Sequence, residues 1–273
     1  MGLGNDRLSN DTAVNYINSS SQEFFEYMGG YSQYDFLDHI HYKGLISDVP
    51  HQIVNCIMEA WLKSETIQAD IESLTAPFRE RHLPFSWYVW PTSMPADLGD
   101  HLLSYGFEHS HDSSGMLADL SDLPTELPIP DDARIGRVGS DAMLKDWMEA
   151  FEAGFQTPDV VNDFFFSFYK EFGYAEDLPM QNYLAYYRDE PVSCVTLYVG
   201  ENHVAGIWAV ATSPQARGKG LGTIITWKGC FEALRKGYRY AILISSQMGY
   251  NVYERLGFKE YCKVSYYRWQ PKD

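Results

Sequence analysis

The stretch that most constrains this chain runs from Trp208 to Gly222, Trp-Ala-Val-Ala-Thr-Ser-Pro-Gln-Ala-Arg-Gly-Lys-Gly-Leu-Gly. An apolar strand pattern stops at Ser213-Pro214, where proline removes a ladder donor and biases Ser213 to an extended shape. Gly218, Gly220 and Gly222 follow at alternate positions, and Leu221, Ile224, Ile225, Phe231 and Leu234 then recur at helical spacing. Strand, glycine turn and helix together aim free backbone N–H groups at one point beside the positive end of a helix dipole. That arrangement is an anion site, most often for phosphate. The dinucleotide loop needs Gly-x-Gly-x-x-Gly, and these positions give Gly-x-Gly-x-Gly. The nucleoside-triphosphate loop ends Gly-Lys-Ser/Thr, and here Lys219 is followed by Gly220.

The residues instead resemble the Arg/Gln-x-x-Gly-x-Gly/Ala motif of the GNAT superfamily of coenzyme A-dependent N-acetyltransferases. The match holds in two registers, Arg217-x-x-Gly220-x-Gly222 and Gln215-x-x-Gly218-x-Gly220. The first is the usual one, with Val210 and Pro214 standing where that family has Val-x-x-x-Pro. A second family marker, Tyr-x-x-x-Gly-Phe, is present as Tyr253-Glu-Arg-Leu-Gly257-Phe258. One position departs: Ser246 stands where relatives often carry Asn, seven residues before the tyrosine.

Apolar periodicity and breakers give an element order for residues 133–269 of β-α-α-β-β-β-α-β-α-β-β. Strands are expected at 133–138, 181–188, 191–199, 203–212, 240–245, 258–263 and 265–269, with helices at 140–155, 158–172, 218–236 and 248–256. This is the order of the GNAT fold, an α/β (in some schemes α+β) architecture with a mixed central sheet flanked by helices. Upstream, helices are expected at 11–28, 64–81 and 94–105, and strands within 36–60, at 84–91 and at 111–120. Leu102-Leu-Ser-Tyr-Gly106-Phe107 echoes the segment from Tyr253 to Phe258, so the first half reads as a worn copy of the fold without a glycine loop. Three prolines and four acids over 121–132 mark a linker. The expected organisation is a degenerate GNAT-like domain at 1–120, a linker at 121–132 and a GNAT acetyltransferase domain at 133–273. That second domain carries Phe164, Phe165, Phe166 and Phe168 on one helix, more aromatics than one core face takes; core packing and a pocket lining are both open.

A formal net charge of −16 excludes a nucleic-acid reading. Residues 203–273 nevertheless hold eleven basic against four acidic side chains, so the only basic third carries the glycine loop. No apolar run reaches the ~18 residues of a membrane helix, and the start shows neither an export signal nor the myristoylation pattern at Gly2; a cytoplasmic protein is expected. Cys56, Cys194, Cys230 and Cys262 lie too far apart for a Cys-x-x-Cys pair, and neither His39/His41 nor His109/His111 has further ligands in spacing. No metal is expected.

The resemblance implies acetyl-CoA as co-substrate and a small-molecule or peptide amine as acceptor, the protein being a monomer or a homodimer. It implies that the coenzyme's diphosphate is held by Gln215, Ala216, Arg217, Gly218, Lys219, Gly220, Leu221, Gly222 and Thr223. The pantetheine arm would run along Val210, Ala211 and Thr212, with Ser246 in reach. Tyr253 is the matching position for the general acid, protonated at neutral pH because a phenol titrates near 10. Many relatives place a glutamate base on the strand before the loop; this strand has none, which leaves His203, Ser245, Tyr250 or water. A non-catalytic acyl-CoA-binding or sensing protein is the alternative.

Overall fold

A strand as uniformly apolar as Tyr240–Ser245 must be covered on both faces. The computed structural model, which describes residues 8–271, shows how that cover is built. The sequence read for export and myristoylation signals begins outside the described residues. The elements in chain order are α1 (Asn10–Gly29), β1 (Asp35–His39), β2 (Tyr42–Ile46), β3 (Cys56–Ala60), α2 (Ile67–Glu80), β4 (Phe85–Val89), α3 (Leu98–Ser104) and β5 (Glu108–Asp119). After them come β6 (Ala133–Arg137), α4 (Asp141–Phe155), α5 (Asp159–Phe172), β7 (Met180–Tyr187), β8 (Glu190–Val199) and β9 (Val204–Thr212). The chain ends with α6 (Leu221–Arg235), β10 (Tyr240–Ser245), α7 (Tyr250–Glu254) and β11 (Lys259–Trp269). Among the described residues no helix is long and apolar enough to cross a membrane.

Among the described residues eleven strands join one mixed sheet in the order β1-β2-β3-β4-β11-β5-β10-β9-β8-β7-β6. The two halves have traded strands at its centre. β5, from the first half, lies between β10 and β11; β11, from the second, lies between β4 and β5. The division at 121–132 therefore does not separate two independently closed sheets. The expected linker itself is docked: Leu120 and Leu123 are buried, and the Trp227 indole donates to the Pro124 carbonyl at 2.7 Å.

Other corrections concern where elements end. The strands expected at 258–263 and 265–269 are one continuous β11, because β5 holds it through the irregularities at Glu260/Cys262 and Tyr266/Tyr267, with β4 joining on the other side from Ser265. The glycine-loop helix starts at Leu221 rather than 218, since Gly218 and Gly220 take φ of +78° and +79°, outside the helical region. The helix expected at 94–105 shortens to α3, and that at 248–256 to α7. α1 begins at Asn10 rather than 11, with Ser9 as its cap. The echo between halves is geometric. Gly106 and Gly257 have φ of +93° and +90°, and the N–H groups of Phe107 and Phe258 donate back to the Leu102 and Tyr253 carbonyls, closing equivalent helix ends.

On one face of the sheet pack α4, α5 and α1; on the other, α6 and α7. The aromatics of α5 resolve toward core packing: Phe164, Phe165 and Phe168 are buried, and Phe164 meets Tyr31 and Tyr34 edge-on. The serines of α1 let it lie close on the sheet. Ser20 and Ser21 are fully buried, Ser20 donating to the Val204 carbonyl and Ser21 to that of Ile17.

Glu59 of β3 is buried against α1. Asn18 donates from Nδ2 to Glu59 Oε1 at 3.1 Å, while Glu59 Oε2 and Asn18 Oδ1 have no partner. Two orphaned acceptors facing one amide–carboxyl bond are what a protonated carboxyl would satisfy, its O–H donating to the amide oxygen. Burial raises the Glu59 carboxyl to about 7, against smaller lowering by Asn18 and Lys43. The folded chain thus favours the neutral acid. The stability this gives is full below the ordinary value of 4.5 and is lost as pH rises toward about 7. Glu59→Gln keeps both hydrogen bonds and removes the titration, so urea midpoints measured between pH 5 and 8 should fall less steeply for the variant than for the parent; equal slopes would show that Glu59 is not the group responsible.

Candidate functional site

β9 and β10 are parallel neighbours only at their beginnings, where Val204, Ala205 and Gly206 face Tyr240, Ala241 and Ile242. Beyond that the strands part. Against β8, the register of β9 slips between Cys194/Ala211 and Thr196/Trp208, with Ala209 at φ +49°. An extra residue of this kind bends its strand and raises the local twist. From Ile207 to Thr212 the β10-facing side of β9 then has no strand partner. A cleft of about 590 Å³ opens there, between Val210, Ala211 and Thr212 on one side and Ser246 and Tyr253 on the other.

The glycine loop closes one end of this cleft. Ser213 donates to the Val192 carbonyl, and a short 3₁₀ turn, Pro214–Ala216, uses the N–H groups of Ala216 and Arg217 internally. Among the described residues, the N–H groups from Gly218 to Thr223 have no acceptor. Gly218 and Gly220 also have nothing within 4 Å of where a Cβ would stand, so the space in front of them is open. This is an anion cradle of free amides at the start of a fifteen-residue helix. The residues fit a diphosphate on this observation alone.

The expected binding residues divide accordingly. Gly218, Gly220, Leu221, Gly222 and Thr223 line the cleft, Leu221 with its side chain buried beneath. Ala216 and Arg217 line it without a free amide. The Arg217 guanidinium is spent on main chain, donating to the Thr212 carbonyl (3.2 Å) and the Gly154 carbonyl (3.3 Å), which ties the loop to α4. Gln215 and Lys219 stand outside the lining; Lys219 Nζ donates to the Gln215 carbonyl at 2.6 Å.

Tyr253 lines the far side, almost wholly buried, with its ring against Gly249, where an added Cβ would come within 2.7 Å. Burial, and secondarily the nearby Cys230, push its phenol above the ordinary value, so the hydroxyl keeps its proton. Ser246 accepts the Gly249 N–H at 3.3 Å, which shapes that turn. His203 is not part of the site. It precedes the first residue of β9, exposed beside Tyr238, while the cleft begins at Val210, roughly 20 Å along an extended strand. Ser245 is buried and donates to the Ser246 carbonyl.

Sequence reasoning missed Gly154, Phe155 and Gln156 at the end of α4, and Met248 and Arg255 around α7. Gly154 carried a signal: a glycine late in a helix marks close approach, and a Cβ there would meet Ala211 Cβ at 2.6 Å.

Residues 140–258 match the family model of the Acetyltransferase (GNAT) family. This part of the chain is a GNAT acetyltransferase domain. No curated protein matches the sequence. Solved structures share the fold over nearly the whole length. A GCN5-related N-acetyltransferase from Kribbella flavida superposes with a TM-score of 0.73 at 15% identity, covering 96% of each chain. One from Sphaerobacter thermophilus gives 0.63 at 14%, over 96% of this chain and 91% of that one. A tandem GNAT protein from the clavulanic acid biosynthesis pathway gives 0.61 at 12%, over 98% and 97%.

The first half holds the counterpart of the GNAT cleft in closed form. β3 and β4 are parallel at Cys56/Ser86 and Ile57/Trp87 and, farther on, are rejoined: Leu62 donates to the Met94 carbonyl and Met94 to that of Ala60. Leu102, wholly buried, stands where Tyr253 stands in the other half.

Gly220→Ala should cost about 1 kcal/mol of stability from its positive φ and should abolish protection by pyrophosphate in thermal-shift assays. Gly106→Ala, equally strained and equally open, should lose similar stability while keeping that protection. Loss in both variants would show that the loop amides are not the anion site.

Proposed function

We propose that the chain transfers an acetyl group from acetyl-CoA to a primary amine of a small molecule or peptide. The observation that carries this reading is the row of unpaired amides from Gly218 to Thr223, set at the mouth of a parted parallel strand pair with a buried phenol opposite. Bound coenzyme supplies an acyl group activated as a thioester. The loop amides bind its diphosphate, and the excess of basic over acidic side chains in 203–273 favours the polyanion. The unpaired edge of β9 offers main-chain hydrogen bonds to the pantetheine arm, as an added strand would receive them.

The amine must be neutral when its nitrogen forms the new C–N bond and the C–S bond breaks. Tyr253 holds a proton at Oη for the departing sulfur, and its raised phenol value keeps that proton in place throughout the neutral range. The proton lost by the amine passes to solvent, since the strand beside the loop carries no carboxylate and His203 lies at its far end. Holding both reactants in the parted strands removes the entropy cost of their meeting.

Tyr253→Phe should lower kcat by about 10²–10³ while leaving the coenzyme dissociation constant, measured by calorimetry, within about twofold of the parent. A variant with unchanged turnover would remove Tyr253 from the chemistry. A parent that binds coenzyme yet acetylates no amine would point to a sensor.

A further inference from the structure

The two faces of the parted strands are built differently. On one, α6 and α7 close the gap, with Ile207, Leu243 and Tyr253 in a common apolar cluster. On the other, the end of α4 seals only the outer part, Gly154 lying on Ala211 and Thr212. Over the last shared rung stands Trp208. Its indole rests so closely on Gly206 that a Cβ there would overlap Nε1, and that N–H is buried without an acceptor.

Trp208 is held by a helix from outside the family-matched segment. Phe24 of α1 stacks on it at 4.6 Å and 12°, and Phe25 meets it at 5.8 Å. Phe25 also meets Tyr88 of β4 at 5.8 Å, and Tyr88 meets Tyr266 of β11 at 4.6 Å. β9 and β4 are separated in the sheet by β10, β5 and β11, yet Phe25 touches rings on both. The sheet therefore curls around α1 and brings aromatics of both halves to one wall. Trp208, Phe25, Tyr88 and Tyr266 each remain partly exposed, and burial holds both phenols above their ordinary value, so they stay neutral.

A polycation would need exposed carboxylate oxygens on this wall, and the unpartnered oxygens of Glu23 and Glu59 are buried. Glu26 pairs with Lys43, Glu59 with Asn18, and Glu23 accepts the Asn202 N–H at 3.1 Å. A sugar would need a row of unpaired polar side chains, where the wall offers ring faces, one unpaired indole N–H and two phenols already turned to Cys56 and Ser113. Ring faces stack on an aromatic body and attract an ammonium before it loses its proton.

We propose, building on the acetyl-transfer reading, that the acceptor is an arylalkylamine entering across the α1 face, and that Trp208 and Phe25 are its specificity residues. The test is calorimetry on the full chain in two steps, coenzyme A first and then tyramine, spermidine or glucosamine added to the coenzyme-loaded protein. Tyramine is expected to bind more tightly than the other two. Trp208→Ala and Phe25→Ala should each weaken it at least about tenfold, with coenzyme binding unchanged. Trp208→Phe, which keeps a ring, should restore most of the affinity. Coenzyme binding without tyramine binding, tighter binding of spermidine or glucosamine, or unaltered tyramine affinity in both alanine variants would overturn this inference alone. No heat with coenzyme A would overturn the reading beneath it.

Discussion

Two parallel strands that begin as partners and then separate are the constraint on which this structure turns. A parted pair leaves main-chain donors and acceptors without partners, which a protein interior does not tolerate unless something from outside supplies them. Here the separation is imposed by the irregularity at Ala209 and is not relieved by any later bond between β9 and β10. The glycine loop adds a second set of unsatisfied amides at the same end of the gap. Both deficits point into one cleft, and a thioester-bearing nucleotide has the groups to meet them: phosphate oxygens for the loop and amides for the strand edge.

The first half shows what happens when the same framework has no such guest. Its parallel pair is rejoined at Trp61 and Met94, no glycine loop follows β3, and leucine occupies the tyrosine position. What it retains is geometry: the glycine-closed helix end, the parallel pair and the long strand that follows. That long strand, β5, is inserted beside β10, where it covers an edge that would otherwise carry unpaired donors and acceptors. The worn half has thus exchanged chemistry for structural support.

The parts of the fold set by local chemistry could be read in the sequence. The helices expected at 140–155 and 158–172 are α4 and α5, the strands expected at 181–188 and 191–199 pair as β7 and β8, and the glycine loop leads into a helix whose apolar face meets the sheet. Arg217 matched the family motif, yet its guanidinium serves the loop's shape, because spacing records identity and not direction. The exchange of β5 and β11 was illegible for a different reason. Nothing in the residues of either strand names its neighbours, so the choice depends on how the halves dock. The helix α1 was legible and its burial was not, because its serines look like surface and are instead the small residues that let a helix approach the sheet. Phe155 at the end of α4 and Met248 and Arg255 on either side of α7 lie far apart in the chain and acquire a common place only in three dimensions.

The family-matched segment, 140–258, contains the loop, the parted strands and Tyr253, but it is not a closed structure. It lacks β5, which covers β10, and β11, which completes the sheet beyond it. It also lacks α1, which buries Ala13, Ile17 and Phe24 against β9 and its neighbours. Removing those elements would expose an apolar strand edge and strip Trp208 of both phenylalanines that hold it. The glycine loop and Tyr253 sit in one half and the elements that cover them are drawn from both, so the unit that closes around the cleft is the whole chain. That dependence accounts for a first half with neither a glycine loop nor a counterpart of Tyr253: it supplies β5 and α1, which cover β10 and hold Trp208.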